Sequence, residues 1–380
     1  MESTPSHAFV TAHKGPSQLV RPTFDMLHFI SYAFAVTPAR WMTTPTLLAP
    51  SRSGHTAAAD VDGNVWLFGG YAEEDGEKKR DVVSDLWRFS TGGWECVQQS
   101  APRGSRSDRP GPRLATCSAV IDGELLVFGG WDPEEAGTGG SILDDVWALD
   151  LSTQKWSQCE PMPRGPTSRH VAAAVGGTLV VHTFRCLASV LVWDKAFRRL
   201  VEQPTSGTPP SSRGLHAGAA LGEHTLIVFG GAAKDGGMSN EAHALDTRTW
   251  EWRALATPPS EGGLLGKLFG GGFPTASAPT PRAGACAAPV DVGIVVCCGA
   301  EASTSGLNPR ADCWLLRADE ANLDDASWEL LAGDEAADAP MARNAASLVP
   351  LADGKLLLTG GWHPFVSTFA DSRVLELLET

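Results

Sequence analysis

The sequence predicts an all-β protein, a propeller of six blades that each contain four short antiparallel strands. Three observations predict this fold class. An arginine heads six successive segments, a glycine pair follows most of these arginines, and a tryptophan closes most of the units. Glycine and proline are frequent, at 41 and 26 of 380 residues, as expected where tight turns join many short strands. Repetition of such a unit is typical of propellers, whose blades pack face to face.

The repeat is defined first by arginines and glycines. A glycine pair or its remnant lies about 17 residues after five of the six arginines, behind an apolar run such as VWLFGG or LLVFGG. The third segment reads LVVHTFRC instead and is the degenerate member. The head arginines are Arg52, Arg113, Arg169, Arg213, Arg282 and Arg343. The glycine pairs are Gly69-Gly70, Gly129-Gly130, Gly230-Gly231 and Gly360-Gly361, with Gly299-Ala300 in the fifth segment.

Each recurring residue type has a physical role. Glycines allow close backbone approach and a positive φ where the second strand of a blade turns outward. The head arginines are expected to brace the start of the inner strand. The alternative is a ring of guanidinium groups at the channel mouth that attracts carboxylates. A large flat side chain fills the wedge between neighbouring blades, and the closing residues are Trp94, Trp156, Trp252 and Trp328.

The order of arginine, glycine pair, W-x-x-D and closing tryptophan resembles the kelch repeat over residues 40–380. The resemblance implies the propeller superfamily that includes galactose oxidase. It further implies a protein–protein interaction module, an adaptor or scaffold that acts as a monomer. With the strands of a blade lettered a to d from the channel outwards, the partner is expected on the face that carries the b–c and d–a loops.

The two chain ends predict how the ring closes. The last repeat stops at SRVLELLET without a closing tryptophan unit, whereas Trp41 lies eleven residues before the first head. Residues 40–48 are therefore expected to complete blade 6, which removes a free sheet edge. Residues 1–39 are expected to be disordered and residues 257–281 to form a loop insertion. Residues 26–36 are apolar enough for a signal-peptide core but begin late, so a cytoplasmic or nuclear location is expected rather than secretion.

Composition excludes several classes of function. The formal net charge of -14 argues against nucleic acid as the main partner, since phosphate binding needs a basic face. No run of 18 apolar residues exists, so a membrane span is excluded. The eight cysteines form no CxxC pair, which argues against a zinc or redox motif, and they are expected to be buried thiols.

The candidate binding site lies on blades 6, 1 and 2. The residue after the glycine pair is aromatic in these three blades, and closure of the ring makes the three blades neighbours. The d–a loop between blades 1 and 2 adds three arginines, and aromatic and arginine side chains are common anchors of protein interfaces. The predicted site comprises Tyr71, Trp131, Trp362, His363, Arg103, Arg106 and Arg109, for a partner that is a protein or an acidic peptide. The alternative is that the aromatics pack under their loops and the arginines are solvated.

The competing function is a metal-dependent or small-molecule enzyme on the same face. A galactose-oxidase-type copper site uses two tyrosines and a tyrosine–cysteine cross-link. This chain has only Tyr32 and Tyr71, and Tyr32 lies outside the repeats. The iron site of the plant specifier proteins has an E-x-x-x-D-x-x-x-H pattern that is absent here. His55 and His216 are expected to be core histidines, so no catalytic residue, metal ligand or cofactor is predicted. A cation site in the acidic b–c loops is the remaining alternative, formed by Glu73, Glu74, Asp75 and Glu77 or by Asp132, Glu134 and Glu135.

Overall fold

Six sheets form the six blades of the propeller, and their strands are antiparallel except for one two-residue parallel pairing in blade 4. The computed structural model describes residues 39–44, 51–74, 79–102, 108–133, 139–256, 278–304, 306–364 and 366–378, and these residues contain no helix. The first strand, β1 (Ala39–Thr43), belongs to the last blade. Blade 1 contains β2 (Ser51–Ser53), β3 (Thr56–Ala59), β4 (Val65–Glu74), β5 (Lys79–Ser90) and β6 (Gly93–Gln98). The all-β propeller predicted from the repeat is confirmed.

The next two blades are regular four-stranded meanders. The second strand of each is buried over at least four consecutive residues, as expected for sheets that pack on both faces. Blade 2 contains β7 (Cys117–Ile121), β8 (Glu124–Asp132), β9 (Ser141–Asp150) and β10 (Lys155–Gln158). Blade 3 contains β11 (Val171–Val175), β12 (Thr178–His182), β13 (Ser189–Asp194) and β14 (Arg199–Pro204).

Blades 4 to 6 add short accessory strands to the same plan. Blade 4 contains β15 (Ser206–Gly207), β16 (Ala217–Leu221), β17 (Thr225–Phe229), β18 (Ala242–Asp246) and β19 (Glu251–Ala254). Blade 5 contains β20 (Cys286–Val290), β21 (Gly293–Cys297), the hairpin of β22 (Ala300–Ser303) and β23 (Gly306–Pro309), β24 (Cys313–Asp319) and β25 (Asn322–Ala332). Blade 6 contains β26 (Ser347–Pro350), β27 (Leu356–Thr359), the hairpin of β28 (Trp362–His363) and β29 (Ser367–Thr368), and β30 (Ser372–Leu377).

The N-terminal strand closes the ring, as predicted. Strand β1 pairs antiparallel with β30 along its whole length, from Ala39 opposite Leu377 to Thr43 opposite Arg373. Trp41 in this strand is 5% exposed and packs in a cluster with core residues of blade 5. The strand begins at Ala39, one residue before the predicted boundary. Residues 1–38, 45–48 and 257–277 of the predicted segments lie outside the described residues.

Six backbone hydrogen bonds form a closed belt around the channel. Each blade contributes one residue, whose N–H donates to the carbonyl of the corresponding residue in the preceding blade, over 2.8 to 3.0 Å. All six have a left-handed backbone, with φ between 52° and 68°. The belt residues are Gly54, Ala115, Arg169, Leu215, Gly284 and Ala345.

Five of the six head arginines are buried braces within their blades. Arg52, for example, donates to the carbonyl of Gly69 and to both carboxylate oxygens of Asp85. Such bidentate, charge-assisted bonds satisfy a buried guanidinium that would otherwise be costly. The five pairs are Arg52–Asp85, Arg113–Asp145, Arg213–Glu241, Arg282–Asp312 and Arg343–Asp371. The predicted bracing role is observed for these five, and the alternative of a guanidinium ring at the channel mouth is wrong for them.

Arg169 was assigned as the head of blade 3, and that assignment is wrong. The head carbonyls of blades 1, 2, 5 and 6 each accept a hydrogen bond from the second glycine of the preceding blade, and in blade 3 the carbonyl of Thr167 does so. Arg169 lies two residues further on, in the belt. Blade 3 also has Thr183 and Phe184 at the glycine-pair positions. It therefore lacks the arginine brace and its glycine pair together.

The glycine pairs are required by the approach of the next blade. A Cβ atom on Gly69 would lie 2.8 Å from the carbonyl oxygen of Arg113, and one on Gly360 would lie 2.6 Å from that of Arg52. Both positions have a positive φ. In blade 5 the corresponding pair is Cys298-Gly299, because Cys298 has φ 64° and the N–H of Gly299 donates to the next head carbonyl. The predicted Gly299-Ala300 is out of register by one residue.

The closing tryptophans pack against the preceding blade, as expected. The ring of Trp156 in blade 2 lies 5.6 Å from that of Phe68 in blade 1. In the same way, Trp328 of blade 5 lies 5.1 Å from Phe229 of blade 4. Edge-to-face contacts of this kind add to the apolar area buried between blades.

The cysteines differ from the expectation of free thiols in one place. Cys297 and Cys313 stand opposite each other on β21 and β24 and form a disulfide. The remaining cysteines are free, and four of these are buried. Cross-strand register, which a single sequence does not display, places the two sulfur atoms together.

Replacing Trp41 by alanine tests ring closure. The substitution leaves a cavity between blades 5 and 6, and we expect the free energy of unfolding to fall by about 3–5 kcal/mol. Arg40→Ala is the matched control, because this neighbouring side chain is 57% exposed and, within the described residues, pairs only with Glu376 at the surface. Urea denaturation measures both, and equal losses would contradict the closure by β1.

Removing the carboxylate of a buried brace should destabilise the fold more than removing an exposed one. The side chain of Asp312 is 4% exposed, whereas that of Glu241 is 58% exposed. We expect Asp312→Ala to cost about 3–5 kcal/mol, since it strands a buried guanidinium. Glu241→Ala should cost about 1 kcal/mol, because water can replace its carboxylate. Urea unfolding of the two variants compares them, and a larger loss for Glu241→Ala would refute the assignment.

Candidate partner-binding site

The belt residues line the mouth of the channel on the face of the b–c and d–a loops. The cavity there, the channel cavity, has a volume of about 410 Å³. Its wall includes Leu215, Met238 and Leu307 together with small residues of blades 4 and 5. In blades 4 and 5 the residues that follow the glycine pairs have small side chains, which leave this space open.

Arg169 projects the one formal positive charge among the described residues that line the channel cavity. Its side chain is exposed, and within the described part of the chain its guanidinium makes no hydrogen bond or ion pair. The belt accounts for this position, since Arg169 donates its backbone N–H to Ala115 and accepts from Leu215. A free guanidinium with five donors beside apolar walls is suited to bind a carboxylate.

Three histidines lie beneath the channel cavity and are uncharged at neutral pH. Burial, with the charge of Arg52, lowers the pKa of His55 to about 3. Burial similarly lowers the pKa of His170 to about 3 and that of His216 to about 4. His216 Nε2 lies 3.0 Å from Nδ1 of His182, whereas neither ring nitrogen of His55 has a hydrogen-bond partner among the described residues. His55 and His216 are thus core residues, as expected.

Tyr71, Trp131 and Trp362 line one pocket of about 620 Å³, which we call the aromatic pocket. Each follows a glycine pair and is held by backbone pairing to the d–a segment of its own blade, as in the pairing of Leu114 with Trp131. Trp131 Nε1 also donates to the carbonyl of Gly139 over 3.0 Å. The structure therefore brings the three aromatic residues of the predicted site together, and their binding role stays a prediction.

The aromatic pocket has one pair of charged residues in its wall. Arg80 donates to Glu73 over 3.1 Å, so the two charges offset each other. Tyr71 stands beside them. Burial raises the pKa of its hydroxyl, which the charge of Arg80 opposes. Tyr71 is consequently neutral at physiological pH, and the described lining of the pocket has no net charge.

The other predicted site residues are placed differently. His363 bonds through Nδ1 to the carbonyl of Pro364, 3.1 Å away, and is not among the residues that line the aromatic pocket. Arg109 is partly buried and engaged by other residues. Arg103 and Arg106 lie outside the described residues.

The acidic loops were an alternative cation site. Asp75, Glu77, Glu134 and Glu135 lie outside the described residues, and Glu73 is paired with Arg80. In the described ranges, no group of three or more histidine, cysteine or acidic side chains could hold a metal ion. No helix of these ranges is long and apolar enough to cross a membrane.

Exposed apolar side chains are concentrated on the same face. Twelve large apolar residues of the described chain are exposed. Eight of them lie in or beside the b–c and d–a connections, namely Ile142, Phe184, Leu187, Leu215, Leu307, Met341, Trp362 and Val366. Exposed apolar surface collected in this way is typical of an interaction site.

Sequence reasoning missed the channel cavity, and it placed Arg169 at the channel mouth only in the alternative that covered all six head arginines. The signal that could have found them is the position two residues after each true head, occupied by Gly54, Ala115, Arg169, Leu215, Gly284 and Ala345. Five of these are uncharged. The sixth, Arg169, was mistaken for a head arginine.

Comparison with known families yields one profile that covers most of the chain. The KLHDC2/KLHL20/DRC7 Kelch-repeats domain matches residues 27–191 and 174–379. The solved structure of YjhT superimposes with a TM-score of 0.60 at 18% identity, covering 87% of this chain and 95% of that one. At this identity the likeness concerns the fold.

Curated relatives are longer proteins. Adagio-like protein 1 of Oryza sativa subsp. japonica is 30% identical over 294 residues, or 73% of this chain and 42% of the relative. Kelch domain-containing protein 10 of Rattus norvegicus is 28% identical over 235 residues, or 56% of this chain and 53% of the relative. Acyl-CoA-binding domain-containing protein 4 of Arabidopsis thaliana is 27% identical over 228 residues, or 58% of this chain and 31% of the relative. The chain thus spans from 31% to 53% of the length of these relatives.

The buried histidines predict a loss of stability in mild acid. Their folded-state pKa values are lowered from 6.5, so the unfolded chain takes up protons first as pH falls. Their stabilisation is complete above pH 6.5 and is lost progressively down to pH 3 to 4. Between pH of about 7.5 and about 5.5 we expect the free energy of unfolding to fall by about 1.4 kcal/mol for each histidine. Urea unfolding at the two pH values measures this, and His55→Gln should reduce the difference.

Proposed function

The chain belongs to the kelch-repeat family of β-propellers, which generally serve as protein-interaction modules, and we propose that it binds a protein partner through the face of the b–c and d–a loops. The concentration of exposed apolar side chains on this face supports the proposal. So does the asymmetry of the residue after the glycine pair, which is aromatic in blades 6, 1 and 2 and alanine in blades 4 and 5.

The recognition chemistry that we propose depends on Arg169. Its guanidinium is free of partners in the described chain, whereas the five head arginines are neutralised inside their blades. A partner carboxylate placed on it would form charge-assisted hydrogen bonds beside apolar walls that weaken competition from water. The rest of the molecule is acidic, with a formal net charge of -14, and repels such a group elsewhere. We therefore infer that the partner carries an acidic residue at this position.

Selection from a random peptide display library tests this function, because it needs no knowledge of the natural partner. We expect the selected peptides to share an acidic residue and Arg169→Ala to weaken their binding by about tenfold or more, as for a lost hydrogen bond to a charged group. Arg248→Ala is the matched control, since that side chain is 59% exposed in a turn on the opposite face. Calorimetric titration with the selected peptides supplies the affinities.

The outcomes separate cleanly. Arg169→Lys should retain part of the affinity, because it keeps the charge and loses the bidentate geometry. Unchanged binding by Arg169→Ala, or an equal loss in Arg248→Ala, would refute the role of the channel cavity. Melting temperatures of the variants show whether each remains folded.

A further inference from the structure

We propose that the aromatic pocket on blades 6, 1 and 2 binds an uncharged, proline-containing segment in the polyproline II conformation. This assignment rests on the proposed function, because it names the partner chemistry for a second part of the same face. It also departs from the acidic ligand that the sequence suggested for this sector.

The lining of the pocket selects against charged ligands. Its one acidic and one basic residue, Glu73 and Arg80, form an ion pair and leave no net charge among the described residues. A charged ligand would lose hydration without an unpaired opposite charge to replace it. Most of the remaining wall is aromatic or apolar and comprises Tyr71, Leu114, Trp131, Pro133, Trp362 and Val366. An uncharged apolar group is the ligand that this surface stabilises.

The hydrogen-bonding groups of the two tryptophans favour an extended backbone. The indole N–H of Trp131 donates a hydrogen bond to the carbonyl of Gly139, and this bond holds the ring in place as a flat platform. Trp362 is 36% exposed, and its indole N–H has no partner within the described chain. A polyproline II segment has no internal hydrogen bonds, so its carbonyls can accept from this indole while its prolyl rings stack on the aromatic faces.

The arrangement of the pocket also fits an extended ligand. Three consecutive blades each supply one aromatic side chain from the same position of the repeat, so the rings follow the curve of the face. The aromatic pocket and the channel cavity share Ser53, Leu114 and Trp362 in their walls. One extended segment can therefore place prolines on the rings and continue towards Arg169.

A blocked oligoproline peptide, acetylated and amidated so that it has no charge, is the probe. We expect Trp131→Ala and Trp362→Ala each to weaken its binding by about fivefold or more, as for an aromatic anchor of an interface. Phe197→Ala is the matched control, because this aromatic side chain is 67% exposed on the opposite face. Trp131→Phe should retain most of the affinity, which shows that the ring and not the fold is responsible. Calorimetric titration of the full chain gives the affinities.

The outcomes distinguish this inference from the function on which it rests. Arg169→Ala should leave oligoproline binding unchanged, since the probe has no carboxylate. No binding of oligoproline at millimolar concentration, or equal binding by Trp131→Ala and the unaltered chain, would overturn the assignment. Preferential binding of tetramethylammonium over oligoproline would overturn it as well, in favour of a cation. If acidic library peptides still bound through Arg169 in these cases, the proposed function would stand without the proline site.

Discussion

The closed belt of six backbone hydrogen bonds around the channel is the constraint on which the rest of the structure depends. A ring of separate sheets has no continuous ladder between its members, so neighbouring inner strands must be joined by a few specific bonds. The belt achieves this only if one residue of every blade adopts a left-handed backbone. Four of the six are not glycine, and each carries a strain of about 1–2 kcal/mol that the closed arrangement must offset.

The other recurring features of the repeat are arranged around the belt. The head residue lies two positions before it. Where the preceding blade has a full glycine pair, the head carbonyl accepts a hydrogen bond from the second glycine and leaves no room for a Cβ atom on the first. The arginine side chain then turns inward to its carboxylate. Blade 3 keeps the belt but lacks the arginine and the glycine pair, with Thr167, Thr183 and Phe184 at those positions. The brace is therefore dispensable in one blade, whereas the belt is present in all six.

This same irregular blade connects the fold to the proposed function. Because the belt residue faces the channel mouth, an arginine there carries its charge into the cavity and not into the blade. Arg169 is thus a product of a structural position that five other blades fill with glycine, alanine or leucine. Opposite it, three blades carry aromatic residues after the glycine pair, so charge and aromatic surface occupy different sectors of one face.

Residue spacing was enough to predict the number of blades, the four main strands of each, the closing role of Trp41 and the sector in which Tyr71, Trp131 and Trp362 meet, since a repeated pattern in a ring implies equivalent positions in space. Details that depend on which backbone groups pair became evident only in the folded chain. Arg169 lies two residues after the true head of its blade, so it faces the channel and is not a brace. The fifth pair is Cys298-Gly299, one residue before the predicted pair. The register between two strands brings Cys297 and Cys313 together as a disulfide. The reason is that the backbone groups that pair decide where a side chain points, and a single sequence shows residue spacing but not register.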